Sequence, residues 1–285
     1  MVQIEHMSQK ILVSTDSAAT ARVLKFFVKE PDDSLALAIL LRAHKDRGVK
    51  IIGVTSSFGN TDGEASYEIT QKQIKLSGLN IPIVKGATHK GQKDSPAVEF
   101  ITNQLKESKE KITLVALGPV TDFAAVFKKY PELKEKVEHF LLVRSGPYLI
   151  KKYWYLFSFN AIWDIEVAKF MYQLGGNQFS MGDGIFKIGL DTKFIKNLQR
   201  INHPMMKFIS RDLLKWSLQN KFFPSKGYLS RKGNMCPWDL VWTMYLVDPY
   251  LYDVLKEGDH YQLRVKDRKV FLRKVMELLR KWEKW

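Results

Sequence analysis

Four aspartates stand where this sequence could do chemistry. Asp32 and Asp33 are adjacent, directly ahead of an apolar run in EPDDSLALAILLRAH. Asp239 opens a second apolar run in CPWDLVWTMYLVDP, and Asp16 follows the β-rich run KILVST. Two readings compete for them. Acids in a first helical turn favour the positive end of the helix dipole, and Pro31 suits such a turn. Alternatively, Asp16, Asp33 and Asp239 bind a hard cation. Calcium takes carboxylate and carbonyl oxygens in flexible geometry, and three carboxylates compensate its charge. Taken alone, the residues leave both readings open.

The elements around these residues narrow the choice of site. Short β-rich runs fall at Lys10–Thr15, Val49–Ser56, Ile81–Val84, Lys111–Leu117 and Val137–Val143. Helical patterns alternate with them at Leu35–His44, Gly63–Leu76, Ala97–Leu105 and Val120–Lys129. Such alternation predicts βαβ units, and hence an α/β fold with a mostly parallel central sheet flanked by helices. Ligands bind outside the carboxyl ends of the strands in open parallel sheets. Asp16, the Ser57–Asn60 segment, Leu117-Gly118-Pro119 and Arg144 are expected at that rim, with Asp32 and Asp33 in the first crossover. Residues beyond about 150 read as mostly helical and as part of the same domain, 7–285. Residues 1–6 read as a short leader or remnant.

Composition removes several classes. The chain has 285 residues, 45% of them hydrophobic, enough for a sizeable core. No apolar run is long enough to span a membrane. The single cysteine, Cys236, excludes an internal disulfide and fits a reducing cytoplasm. The net charge of +15 raises the question of nucleic acid, but the basic residues are scattered and no recognised nucleic-acid motif accompanies them. The densest basic cluster is the tail, where Val270, Phe271, Val275, Met276, Leu278, Leu279 and Trp282 fall at helical spacing. This predicts an amphipathic helix packed on the body.

Five segments then share an order with one known family. LVSTD followed by PDDSLALAILL resembles the D-x-D-P-G-x-D-D motif of the inosine–uridine-preferring nucleoside hydrolases, with its middle stretched. GVTSSFGN resembles the family's second-strand segment, and LVALGPVTDFAAVF its T-G-P-L-T-N-L-A segment. SFNAIWDIEVAKFM resembles E-F-N-x-x-x-D-P-x-A-A, and PWDLVWTMYLVDP the last H-D motif. The resemblance implies a Rossmann-like nucleoside hydrolase fold with a helical C-terminal part. It also implies Ca²⁺-assisted hydrolysis of the N-glycosidic bond of a ribonucleoside. Carried over, Asp16, Asp33, Asp239 and the Leu117 carbonyl hold the metal, and Asp16 accepts the proton of the attacking water. Asp32, Asn60 and Asn160 hold ribose hydroxyls. The family's habits imply a cytoplasmic homo-oligomer, a dimer or tetramer, acting on a small molecule rather than on nucleic acid.

The departures from the pattern carry their own expectations. The inserted segment Ser17–Glu30 reads as helical, with Ala21, Leu24, Phe27 and Val28 on one face, and either forms a flap over the pocket or moves Asp16 away from the metal. Ser158 stands where the family has glutamate, and Lys152 where it has an asparagine. Arg144 stands where it has methionine, and either binds a phosphate or pairs with an aspartate. Trp238 replaces the histidine of the uridine-preferring branch. It either stacks on a purine or belongs to the core, and a tyrosine such as Tyr153 or Tyr155 is then a candidate to assist the departing base. The rival reading keeps the fold and binds a nucleoside, nucleotide or partner without efficient turnover.

Overall fold

In the computed structural model of the chain, residues 9–23, 27–46, 48–142, 158–181, 188–222, 235–257 and 260–284 are described. Arg144, Lys152, Tyr153 and Tyr155 lie outside them. Strand β1 (Gln9–Thr15) lies inside the main sheet, hydrogen-bonded in parallel to β4 (Val49–Ser56) and β6 (Ile112–Ala116). Its apolar run is continuous because both faces are covered, as in other parallel sheets. Ile11 and Val13 enter one core cluster, Leu12 the other, and all three are fully buried. Beyond β4 lies β5 (Ile83–Val84), and beyond β6 lie β7 (Val137–Leu142) and β8 (Gln178–Met181). The crossover helices are α1 (Asp32–Lys45), α2 (Gly63–Ser77), α3 (Pro96–Glu107) and α4 (Thr121–Lys129). The alternation seen in the sequence is therefore the architecture of the N-terminal half.

The C-terminal half is mainly helical, with α5 (Phe159–Trp163), α6 (Ile165–Leu174), α7 (Thr192–Gln199), α8 (Pro204–Phe222) and α9 (Trp238–Val247). It also returns strands that the sequence did not reveal. Strands β9 (Tyr252–Glu257) and β10 (His260–Val265) pair antiparallel, and β10 runs parallel to β8. The sheet order is β5-β4-β1-β6-β7-β8-β10-β9. The basic tail forms α10 (Arg268–Arg280) and packs on the body as its spacing predicts. Phe271, Val275, Leu279 and the following Trp282 are fully buried. Arg42 of α1 lies over the Trp282 ring, 5.7 Å from its centroid. No described helix is long and apolar enough to cross a membrane.

The inserted segment corrects the sequence expectation. Instead of a helix it forms a small antiparallel hairpin, β2 (Arg22–Val23) with β3 (Phe27–Val28); Leu24 lies outside the described residues. Val28 is buried while its neighbour Phe27 is exposed, the alternation of a strand. The hairpin is pinned to α8. Buried Asp212 accepts hydrogen bonds from both Arg22 guanidinium nitrogens at 3.0 and 3.1 Å, and from the Thr20 N–H at 2.5 Å. Thr20 itself has φ 73°, a left-handed conformation costly for a β-branched residue. Gln219 of α8 adds two hydrogen bonds to the backbone of Val28. Side-chain capture from α8 thus overrides a spacing that resembles a helix.

Candidate active site

Two helices deliver the acids. α2, α3, α7 and α10 each start with a side-chain cap, from Asp62, Ser95, Asp191 and Asp267 respectively. α1 and α9 start instead after Pro31 and Pro237, with no side-chain cap. Their first-turn acids are free for another task. α1 is apolar on all sides, with Leu35 to Leu41 fully buried, because it packs against the sheet, α9 and α10. That packing brings the two helix starts together. Asp32, Asp33 and Asp239 each place a carboxylate oxygen within 4.8 Å of the others.

Asp16 joins them from the end of β1. Its Oδ2 accepts the Asn60 N–H at 2.6 Å, and its carboxylate is hydrogen-bonded to that of Asp33. Asp33 Oδ1 accepts the Thr15 hydroxyl at 3.1 Å, and its Oδ2 accepts the Asn60 amide at 3.4 Å. Asp32 Oδ2 accepts the Asp239 N–H at 3.4 Å. The Leu117 carbonyl, at the end of β6, accepts the Asn160 side-chain amide at 2.5 Å. The chain therefore gathers Asp16, Asp32, Asp33, Asp239 and Asn60 into one cluster, and joins Leu117 to Asn160. Ser158 is buried at the start of α5 and lines, with Asn160 and Gly118, a cavity of about 30 Å³. Trp238 is partly buried against the larger core cluster. Arg144 lies outside the described residues.

Two glycines shape the Asp16 pocket. A Cβ at Gly59 would sit 2.3 Å from Asp16 Oδ2, and one at Gly118 2.8 Å from its Cγ. Gly59 also has φ 141°, a conformation side chains rarely adopt. The sequence reading placed both segments at the rim but gave neither glycine this role. The signal was present in the Gly-Asn pair after β4 and the Gly-Pro pair after β6, at the carboxyl ends of the two strands flanking β1.

Burial dominates the electrostatics. It raises the carboxyl of Asp16 to about 6, against hydrogen bonds from Asp33 and Asn60 that lower it. Burial and the neighbouring charge of Asp33 raise Asp32 to about 8. Burial and then the surrounding carboxylates push Asp33 and Asp239 well above the usual carboxylate range. Among the described residues no lysine or arginine is ion-paired with any of them. Asp239 Oδ1 is buried with no hydrogen-bond partner among the described residues. Buried carboxylates without a counter-charge are costly. A set of hard oxygen donors, closely spaced and one of them orphaned, fits a hard cation.

Residues 30–276 match the model of the family described as "Inosine-uridine preferring nucleoside hydrolase". The chain belongs to this family. The family match starts at residue 30, past β1, so it is the fold that brings Asp16 to the other acids. Similar curated proteins include the pyrimidine-specific ribonucleoside hydrolases of Salmonella typhimurium (24% identical over 63% of this chain and 66% of that protein) and Salmonella arizonae (26% over 66% and 68%). The match thus spans about two thirds of each relative's length. Among solved structures, the purine-preferring ribonucleoside hydrolase from Gardnerella vaginalis has a TM-score of 0.77 at 18% identity, covering 97% of this chain and 99% of that one. The plant nucleoside hydrolase PpNRh1 has a TM-score of 0.75 at 14% identity, covering 96% and 99%. At such identities the likeness is one of fold.

Proposed function

We propose that this protein is a calcium-dependent ribonucleoside N-ribohydrolase, releasing ribose and a nucleobase. The observation that carries the reading is the meeting of Asp32, Asp33 and Asp239 within 4.8 Å, beside Asp16, in a chain of this family. Asp16, Asp33, Asp239 and the Leu117 carbonyl are the residues to hold the cation. When bound, calcium supplies positive charge that acidifies a water molecule and offsets the buried carboxylates.

The remaining chemistry belongs to the side chains. Asp16 is the base: it stands at the end of β1, held by the Asn60 N–H at 2.6 Å, and takes the proton of the attacking water. The attacking oxygen bonds to C1′ as the C1′–N bond breaks, through an oxocarbenium-like state; the nucleobase leaves with the bonding pair and takes up a proton, which balances the one lost by water. Asp32 and Asn60 present polar groups for ribose hydroxyls, and Asn160 adds another from α5. A site built to pair hydroxyls discriminates strongly against their loss, so ribose is favoured over deoxyribose. The relatives bear both pyrimidine-specific and purine-preferring names, so the substrate is stated here as a ribonucleoside. We further infer that residues 7–285 act as one catalytic unit, in the cytoplasm, as a dimer or tetramer.

The test is ribose release from purine and pyrimidine ribonucleosides, with calcium and again with EDTA. Release that requires calcium and falls at least about 100-fold in Asp33→Ala is expected, since removing a metal-site carboxylate takes away charge and binding together. Full activity and metal content in Asp33→Ala would sink the assignment.

A further inference from the structure

A fifth buried carboxylate stands in the stretch that leads into α1. Glu30 precedes Pro31, between the hairpin and α1. It is only 8% exposed, and its Oε1 is buried with no hydrogen-bond partner among the described residues. Its backbone carbonyl accepts the Asn60 side-chain amide at 2.8 Å, the same amide that reaches Asp33. Asp32, Asp33 and Asp16 all bear on it electrostatically, and it bears in turn on Asp239. No lysine or arginine among the described residues is ion-paired with it, in a chain carrying 45 of them. A glutamate kept only for packing would be expected to carry a partner for each buried oxygen. Here the backbone is held on both sides, by the hairpin pinned to α8 and by the proline that starts α1. Asp32, Asp33 and Asp16 disfavour the charge of Glu30, and it disfavours that of Asp239.

We propose that Glu30 is a member of the cation site and sets its affinity for hard cations, with a gain that rises with the ion's charge. The inference rests on the metal-site reading above. Its physical basis is simple. Affinity in oxygen-ligand sites follows the number of ligand charges and the rigidity of the frame. The attraction of one extra carboxylate scales with the charge of the ion it faces. A trivalent ion therefore gains more from Glu30 than calcium does. The pinned hairpin holds the backbone that carries the extra carboxylate.

The test titrates the full chain at neutral pH with calcium chloride alone and terbium chloride alone, by calorimetry. Native protein is compared with Glu30→Gln and Asp33→Asn, and each is melted with and without calcium. The native chain is expected to bind one ion. Glu30→Gln should weaken calcium about tenfold and terbium about 100-fold. It should also raise the melting temperature of the metal-free chain, because the cost of burying that carboxyl is gone, while shrinking the rise that calcium produces. Asp33→Asn should weaken both ions strongly. Equal affinities in native protein and Glu30→Gln, or equal weakening of both ions, would overturn the role given to Glu30 and leave the metal site standing. A lower metal-free melting temperature, or failure to fold, would mark Glu30 as structural and also overturn it. No binding of either ion to the native chain would remove the metal site itself.

Discussion

At the scale of single residues, the cluster makes demands of two kinds. One is spatial. Gly118 touches no substrate in this reading, yet a methyl group there would lie 2.8 Å from Asp16 Cγ. Gly118→Ala should therefore lower kcat by about 100-fold through a displaced base, a cost typical of ångström-scale misplacement, while leaving KM nearly unchanged. Steady-state kinetics on a ribonucleoside would show the split. The other demand is electrostatic, and its sign can be worked out. Asp16 and Asp32 keep their protons in the folded chain up to about 6 and about 8, whereas in the unfolded chain both titrate near 3.8. Between these limits the folded state binds more protons, so stability falls as pH rises. The melting temperature of EDTA-treated protein should drop from pH 5 to pH 8, and calcium should flatten the slope. A rising curve would contradict the burial of these groups. The four aspartates were legible in the sequence because each adjoins an apolar run. Glu30 was not, since one buried glutamate in a loop has no periodicity to betray it.

At the scale of elements, the hairpin shows how local pattern loses to tertiary capture. Ala21, Phe27 and Val28 have helix-like spacing, but Asp212 holds Thr20 and Arg22 in a geometry no helix allows. Arg22→Ala leaves Asp212, fully buried, with only the more exposed Arg211 as a nearby cation, at 3.4 Å. The loss should be about 3 kcal/mol by chemical denaturation, as when one partner of a buried pair is removed. Since Glu30 follows the hairpin, calcium affinity should fall too. β1, β4, β6 and β7 were readable for the opposite reason: parallel strands inside a covered sheet leave unbroken apolar runs. β9 gave no such run. It is the edge strand, and residues such as Asp253 and Leu255 are exposed along it. β8 is only four residues long, too short for a pattern.

At the scale of the whole molecule, charge is strongly sorted. The chain is basic overall, at +15, while the buried acids Asp16, Asp32, Asp33 and Asp239 meet in one place. The sequence order of five segments foretold that meeting, and the fold shows its cause: α1 and α9 pack together with their first turns side by side. The contact has a consequence for time as well as for energy. Asp32 and Asp239 are 207 positions apart, so the cluster closes only when distant parts of the chain have docked. An interaction absent from the folding transition state changes the unfolding rate and leaves the folding rate alone. A cation that binds only the finished cluster should leave the refolding rate unchanged and slow unfolding in step with its occupancy. Stopped-flow refolding and manual-mixing unfolding, with and without calcium, would separate the two limbs. On that account the ion works as a latch, deciding how long the assembled chain lasts rather than how quickly it is made.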